Sequence, residues 1–130
     1  LIVGNGVLLK HASNVQGCAN AFELCLNEAG FSPNIFKNLK LPGSSVLSVI
    51  ENNKVSGVAI TGSCKTGKEV AKKAGEYLKK TVLELGGNDP YLVFDNADID
   101  NAVRSCVEGR LLNTGQSCIS AKRLIVTKKM

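Results

Sequence analysis

"KVSGVAITGSCKTGKEVAKKAGEYLKK", Lys54 to Lys80, changes its period midway, and that change decides the fold. Up to Ser63 it is small and β-branched and reads as a strand that ends at Gly62. From about Thr66 the spacing predicts a helix with Val70, Ala74, Tyr77 and Leu78 inward. On its outer face Glu69 with Lys73, and Glu76 with Lys80, form i,i+4 pairs of the favourable order. A strand that passes through a glycine turn into a helix is the building unit of a parallel sheet.

Toward the N-terminus, residues 1–9 read as another strand, followed by a helix at about 15–29 with Phe22, Cys25, Leu26 and Ala29 spaced i, i+3, i+4, i+7. Gly30 and Pro33 mark its end. An extended piece around Ile35 and Phe36 comes next, then Pro42-Gly43, then a helix near Ser45 to Glu51 that buries Val46, Leu47 and Ile50. The alternation of strand and helix implies an α/β protein with a mainly parallel sheet, whose ligands bind at the carboxyl ends of the strands. After "TVLELGG" the texture changes. "YLVF" reads as a strand, and Asp98 caps a helix whose stripe is Ile99, Ala102, Val103, Cys106, Val107, Arg110 and Leu111. Two regions are expected, 1–84 and 85–130, joined through "LELGGNDP", where Gly86, Gly87 and Pro90 allow a tight backbone path. Both ends break off in strand-like apolar segments, so the chain reads as an internal fragment.

The 130 residues, 44% hydrophobic and 21% charged, have the composition of a globular domain rather than a disordered one. No basic leader and no apolar run of about 20 residues is visible, which argues against a signal peptide or membrane span. The formal charge of +5 comes from Lys interleaved with Glu at helical spacing. With aromatics at 5% and no Trp, a nucleic-acid groove with stacking platforms is not expected, although attraction for anionic ligands is. Five cysteines without a C-x-x-C and a single histidine, His11, argue against a zinc site or disulfide framework and fit a reducing cytoplasm. Cys18, Cys25 and Cys106 lie on apolar helix faces and read as core; Cys64 and Cys118 lie in loop-like surroundings.

Five features are candidates for chemistry. Gly4-Asn5-Gly6 has Leu9 where a dinucleotide fingerprint needs its third glycine, so it reads as a turn. "TGSCKTG", from Thr61, sets Gly62, Ser63 and Gly67 between a strand end and a helix start, where free N–H groups can receive a phosphate; a plain helix entry is the alternative. Glu84, in "VLELGG", would have its carboxyl pKa raised if buried and could then take a proton near neutral pH; an exposed glutamate at a strand edge is its rival. Cys118, in "NTGQSCISAKR", is either a nucleophile or, as lone cysteines usually are, a small packed hydrophobe. Lys10 ends the first strand, where a ligand or merely solvent would meet it.

Together "LLK" at Lys10, "ITGSCKTG" to Gly67, "LELGGNDPYLVFDNADID" from Leu83 and "NTGQSCISAKR" from Asn113 resemble, in order, the aldehyde dehydrogenase superfamily. Within it, "GRLLNTGQSCISAKR" and "LLKHASN" are most similar to bacterial succinate-semialdehyde dehydrogenases. The resemblance implies part of a Rossmann-like NAD(P)-binding domain over 1–84 and the start of an α/β catalytic domain over 85–130. It implies Cys118 as nucleophile and Glu84, 34 positions earlier, as general base. Lys10 and Ser13 would serve the adenosine ribose, Thr61, Gly62, Ser63 and Gly67 the pyrophosphate, and the Leu85 backbone the nicotinamide.

Where the family usually has Pro after the lysine, and often Glu three positions beyond it, this chain has His11 and Ser13. A glutamate would repel a 2′-phosphate and a serine can hydrogen-bond one, so NADP is expected to be accepted beside NAD. The family's oxyanion-hole asparagine, its ribose-positioning glutamate and its oligomerisation strands have no counterpart in these residues. The expectation is therefore an inactive fragment of a cytoplasmic, homo-oligomeric oxidoreductase acting on a small aldehyde. A non-catalytic cofactor-binding or structural α/β module is the competing expectation.

Overall fold

The computed structural model describes residues 1–128, which fall into two compact units, the first Leu1–Ser56 and the second beginning at Gly57. All strand pairing among the described residues is parallel, as the alternation of strand and helix requires.

In the first unit β1 (Val7–Leu9) pairs with β2 (Phe36–Asn38), Val7 opposite Phe36. The first strand is shorter than expected, because the Gly4 N–H closes a turn onto the Leu1 carbonyl at 2.9 Å and Gly4 sits at φ +86°. Helix α1 (Gln16–Glu28) connects the two strands. It stops at Gly30, φ +84°, where the Gly30 N–H donates to the Asn27 carbonyl and the Phe31 N–H to the Leu26 carbonyl. This is a Schellman ending, for which a glycine in the left-handed region is the favoured residue. Helix α2 (Val46–Glu51) buries Ile50 to 2% exposure, a burial that contributes about 2 kcal/mol.

The face of α1 turned inward differs from the apolar stripe of the sequence. Ala19 is buried and Gln16, Glu23 and Leu26 are half-buried, whereas Phe22, Cys18, Cys25 and Ala29 are exposed. A polar network draws the helix round. The Asn38 amide donates to Gln16 Oε1 at 3.1 Å and Asn20 Oδ1 at 2.9 Å, and its backbone N–H donates to Glu23 Oε2 at 3.0 Å. Lys37 Nζ completes it with a 2.6 Å ion pair to Glu23 Oε1. The Lys37 ammonium, and after it the Asn38 N–H, hold the Glu23 carboxyl below its ordinary value. Phe22 still meets Phe36, ring centres 5.7 Å apart, across the edge of this face.

In the second unit β3 (Gly57–Thr61) pairs with β4 (Lys80–Glu84) across α3 (Cys64–Glu76), with Thr61 opposite Glu84. Val70 and Ala74 are buried as the period required. Tyr77 and Leu78 are not: α3 ends at Glu76, and Leu78, at φ +53°, turns the chain and is 95% exposed. Lys80 therefore begins a strand instead of continuing the helix, and Lys73 pairs with Glu76 at 3.1 Å. Cys64 is the first residue of α3, not a loop residue.

Strand β5 (Pro90–Val93) pairs with β6 (Arg123–Val126), and α4 (Ile99–Leu111) starts at Asp98, whose carboxylate accepts from the Asn101 N–H at 3.0 Å. On α4, Ala102, Cys106 and Gly109 are half-buried, while Ile99, Val103, Val107 and Leu111 are exposed. Gly109 explains the tilt: its missing side chain leaves room for the Tyr91 hydroxyl, which donates to the Ser105 carbonyl at 3.1 Å. All five cysteines are free thiols. No helix among the described residues is long and apolar enough to cross a membrane.

Candidate active site

Parallel pairing brings the ends of β3 and β4 to one edge. There Thr61 and Gly62 leave one strand and Glu84, Leu85, Gly86 and Gly87 leave the other. The Gly62 N–H donates to the Glu84 carbonyl at 3.0 Å, so the two exits are joined by a last sheet bond. These six residues line an open cleft of about 590 Å³ whose other wall is made by Leu112, Asn113, the run Gly115 to Cys118, and Lys122. Glu84 and Cys118, which sequence spacing separates, thus share one cleft. Both are exposed. Glu84 stands at an exposed strand end, as the rival reading of the sequence had it, and not in a buried site.

Cys118 is presented by an unusual backbone. Asn113 (φ 51°), Thr114 (φ 55°) and Gly115 (φ 76°) are successive left-handed residues, a conformation that a β-branched threonine adopts at a cost. Its partners hold it there. Thr114 Oγ1 donates to the Asn113 carbonyl at 2.6 Å, Gln116 Nε2 donates to Thr114 Oγ1 at 2.9 Å, and Arg110 reaches from α4 to the Gly115 carbonyl at 3.0 Å. On the other side Gly87 lies so close to the Cys118 carbonyl oxygen that a side chain there would collide with it. Gly87, the second glycine of "LELGG", therefore permits backbone contact with the cysteine loop, a more specific reason than an easy turn.

The glycine turn at Gly62 opens α3. Ser63 Oγ accepts from the Thr66 N–H at 3.2 Å and pairs with Thr66 Oγ1 at 3.0 Å, and the Gly67 N–H donates to the Ser63 carbonyl at 2.9 Å. The N–H groups of Cys64 and Lys65 have no acceptor among the described residues. Two free donors at the positive end of a thirteen-residue helix, beside a residue with no side chain, fit a phosphate group. Gly67 does something else: it is buried under Leu85, whose Cδ2 lies 2.5 Å from where a Gly67 Cβ would be.

Lys10 and Ser13 belong to the first unit. Lys10 follows β1 and is half-buried, with its Nζ 4.0 Å from the position a Gly43 Cβ would take; Ser13 is exposed and begins a short turn of helix. Sequence reasoning missed Lys122, Arg110 and Gln116 as parts of the cleft or its frame. Only the proximity of Lys122 and Gln116 to Cys118 in the chain could have pointed to them.

The whole chain, residues 1–130, matches the model of the aldehyde dehydrogenase family. It is 42% identical over 126 residues to the succinate semialdehyde dehydrogenase [NAD(P)+] Sad of Escherichia coli, covering 97% of this chain and 27% of that protein. It is 48% identical to the succinate-semialdehyde dehydrogenase [NADP(+)] of Deinococcus radiodurans, again over 97% of this chain and 26% of that one. The crystal structure of succinic semialdehyde dehydrogenase from Streptococcus pyogenes in complex with NADP+ superposes with a TM-score of 0.90 at 44% identity. It does so over 98% of this chain and 28% of that one. The chain thus spans about a quarter of the length of the curated relatives it matches. With an α/β architecture, a strand-to-helix glycine turn and a cysteine and glutamate on one cleft, the chain belongs to the aldehyde dehydrogenase family.

Proposed function

We propose that this chain is the nucleophile-bearing part of an NAD(P)-dependent aldehyde dehydrogenase that oxidises succinate semialdehyde to the carboxylic acid. The observation that supports it most is the convergence of Cys118 and Glu84 on one cleft with Thr61 and Gly62. The names of the Escherichia coli and Deinococcus radiodurans relatives support the substrate. Ser13, in place of a repelling carboxylate, supports acceptance of the 2′-phosphate of NADP. In this reading residues 1–84 are the second part of the NAD(P)-binding domain and 85–130 the start of the catalytic domain, within a cytoplasmic homo-oligomer.

Cys118, as thiolate, attacks the aldehyde carbon and forms a thiohemiacetal, whose oxyanion is stabilised by backbone N–H donors. When bound, the nicotinamide supplies a hydride acceptor, and Cys118 is left acylated. Glu84 then takes a proton from the water that hydrolyses the thioester, so the base serves the second half of the cycle. Thr61, Gly62, Ser63 and the free N–H groups of Cys64 and Lys65 would hold the pyrophosphate, Gly67 keeping the helix close. Lys10 and Ser13 would hold the adenosine ribose and its phosphate, and the Leu85 backbone would face the nicotinamide.

The test uses the full-length enzyme with succinate semialdehyde and NADP. Cys118→Ser should abolish aldehyde-dependent NADPH formation altogether. Glu84→Gln should keep a first-turnover burst and lose steady-state turnover. Full activity in both variants would sink the assignment in favour of a non-catalytic module. Purified residues 1–130 should oxidise no aldehyde, and measurable turnover by them would refute the claim that this part is inactive alone.

A further inference from the structure

The loop that carries Cys118 is gripped by a side chain that the chemistry above leaves unused. Lys122 lines the same cleft, and its Nζ donates to the Ser120 carbonyl at 3.0 Å and, more loosely, to the Ser117 carbonyl at 3.5 Å. The Ser117 carbonyl also accepts from the Ser120 N–H at 3.3 Å. The turn around Cys118 is therefore closed by its own backbone and then bound on both flanks by one ammonium.

This has a geometric consequence at the cysteine. The Ser117 carbonyl and the Cys118 N–H belong to one planar trans peptide and point in opposite directions, so fixing the carbonyl fixes the N–H. That N–H has no acceptor among the described residues. The next peptide is fixed from the opposite side, where Gly87 abuts the Cys118 carbonyl. Ser120, 2% exposed, anchors the far end of the turn in the interior.

We propose that Lys122 is a positioning residue for Cys118: by clamping the Ser117 and Ser120 carbonyls it aims the Cys118 N–H at the oxygen of the aldehyde under attack. The proposal rests on the assignment of Cys118 as nucleophile. A hydrogen bond to an ammonium is stronger than one between neutral groups, so a residue of similar length without donors cannot replace it. Methionine at this position keeps the volume and removes the clamp; arginine keeps both charge and donors.

The experiment compares the full-length enzyme with its Lys122→Met and Lys122→Arg variants. Three quantities are read: the first-turnover burst rate with succinate semialdehyde, the dissociation constant of NADP+, and amide hydrogen exchange over Ser117–Ser120. Lys122→Met should slow the burst by roughly ten- to a hundredfold, as expected for a small misplacement of a reacting group, and should speed exchange in the turn. NADP+ affinity should stay within about twofold, and Lys122→Arg should recover most of the burst rate. An unchanged burst, an unchanged exchange rate, or a loss of NADP+ affinity in step with the burst would each overturn the proposal. If the parent enzyme itself gives no aldehyde-dependent NADPH, the functional assignment fails instead. Exchange in Lys122→Met then still decides whether the clamp exists.

Discussion

Gly87 and Cys118 meet backbone to backbone, the α-carbon of one against the carbonyl oxygen of the other. A methyl group at Gly87 cannot be accommodated unless the cysteine loop moves away. Gly87→Ala should therefore lower the burst rate of the full-length enzyme by about a hundredfold, the scale of an ångström misplacement, with NADP+ affinity little changed. Stopped-flow measurement of NADPH formation checks this; a variant within a few-fold of the parent would mean the contact is dispensable.

Gly67 faces a similar constraint beneath Leu85, on the same wall of the cleft as Gly87. Its Cβ would lie 2.5 and 2.7 Å from the two Cδ atoms of Leu85, which can give way only by changing rotamer. Gly67→Ala should cost about 1–3 kcal/mol in overpacking and displace Leu85 into the cleft. Weaker NADP+ binding together with a lower thermal midpoint is the expected result.

Ser13 bears on the choice of cofactor. Introducing Ser13→Glu places a carboxylate where a 2′-phosphate is proposed to sit, and two like charges repel. The ratio of kcat/KM for NADP to that for NAD should fall by at least about tenfold, an energy near 1.4 kcal/mol. An unchanged ratio would remove Ser13 from the cofactor site.

Glu23 offers a pH-dependent test in the first unit. Its carboxyl is held below its ordinary value of 4.5, first by the Lys37 ammonium and then by the Asn38 N–H. A depressed folded-state value means that the stabilisation is complete above the ordinary value and is lost as pH falls through the lowered one. The difference in thermal midpoint between parent and Glu23→Gln should be constant above about pH 4.5 and shrink on acidification below it. A difference that grows with acid would contradict this sign.

Much of the cleft was legible because its residues are tied to chain chemistry. Gly62 had to follow a strand and precede a helix, and Glu84 and Cys118 stood in short motifs with glycines beside them. The faces of α1 and α4 were not legible. Periodicity marks where apolar residues cluster, whereas what turns inward depends on the partner: Asn38 draws Gln16 and Glu23 toward it, and Tyr91 selects the bare Gly109. The end of α3 was missed because nothing in Leu78 itself signals a left-handed backbone. Lys122 was missed because its role depends on where two carbonyls point, which no residue type encodes.

The pairing of Thr61 with Glu84 makes the glutamate's position a matter of phase. Side chains alternate along a strand, so a slip of one residue would present Leu83 or Leu85 in its place. Helix α3 and the turn at Tyr77 to Lys79 then act as a counted spacer between the two strands. Surface substitutions along that spacer leave the count intact. An inserted residue must be absorbed entirely within the turn, or the carboxylate is exchanged for a hydrocarbon while every motif still reads correctly.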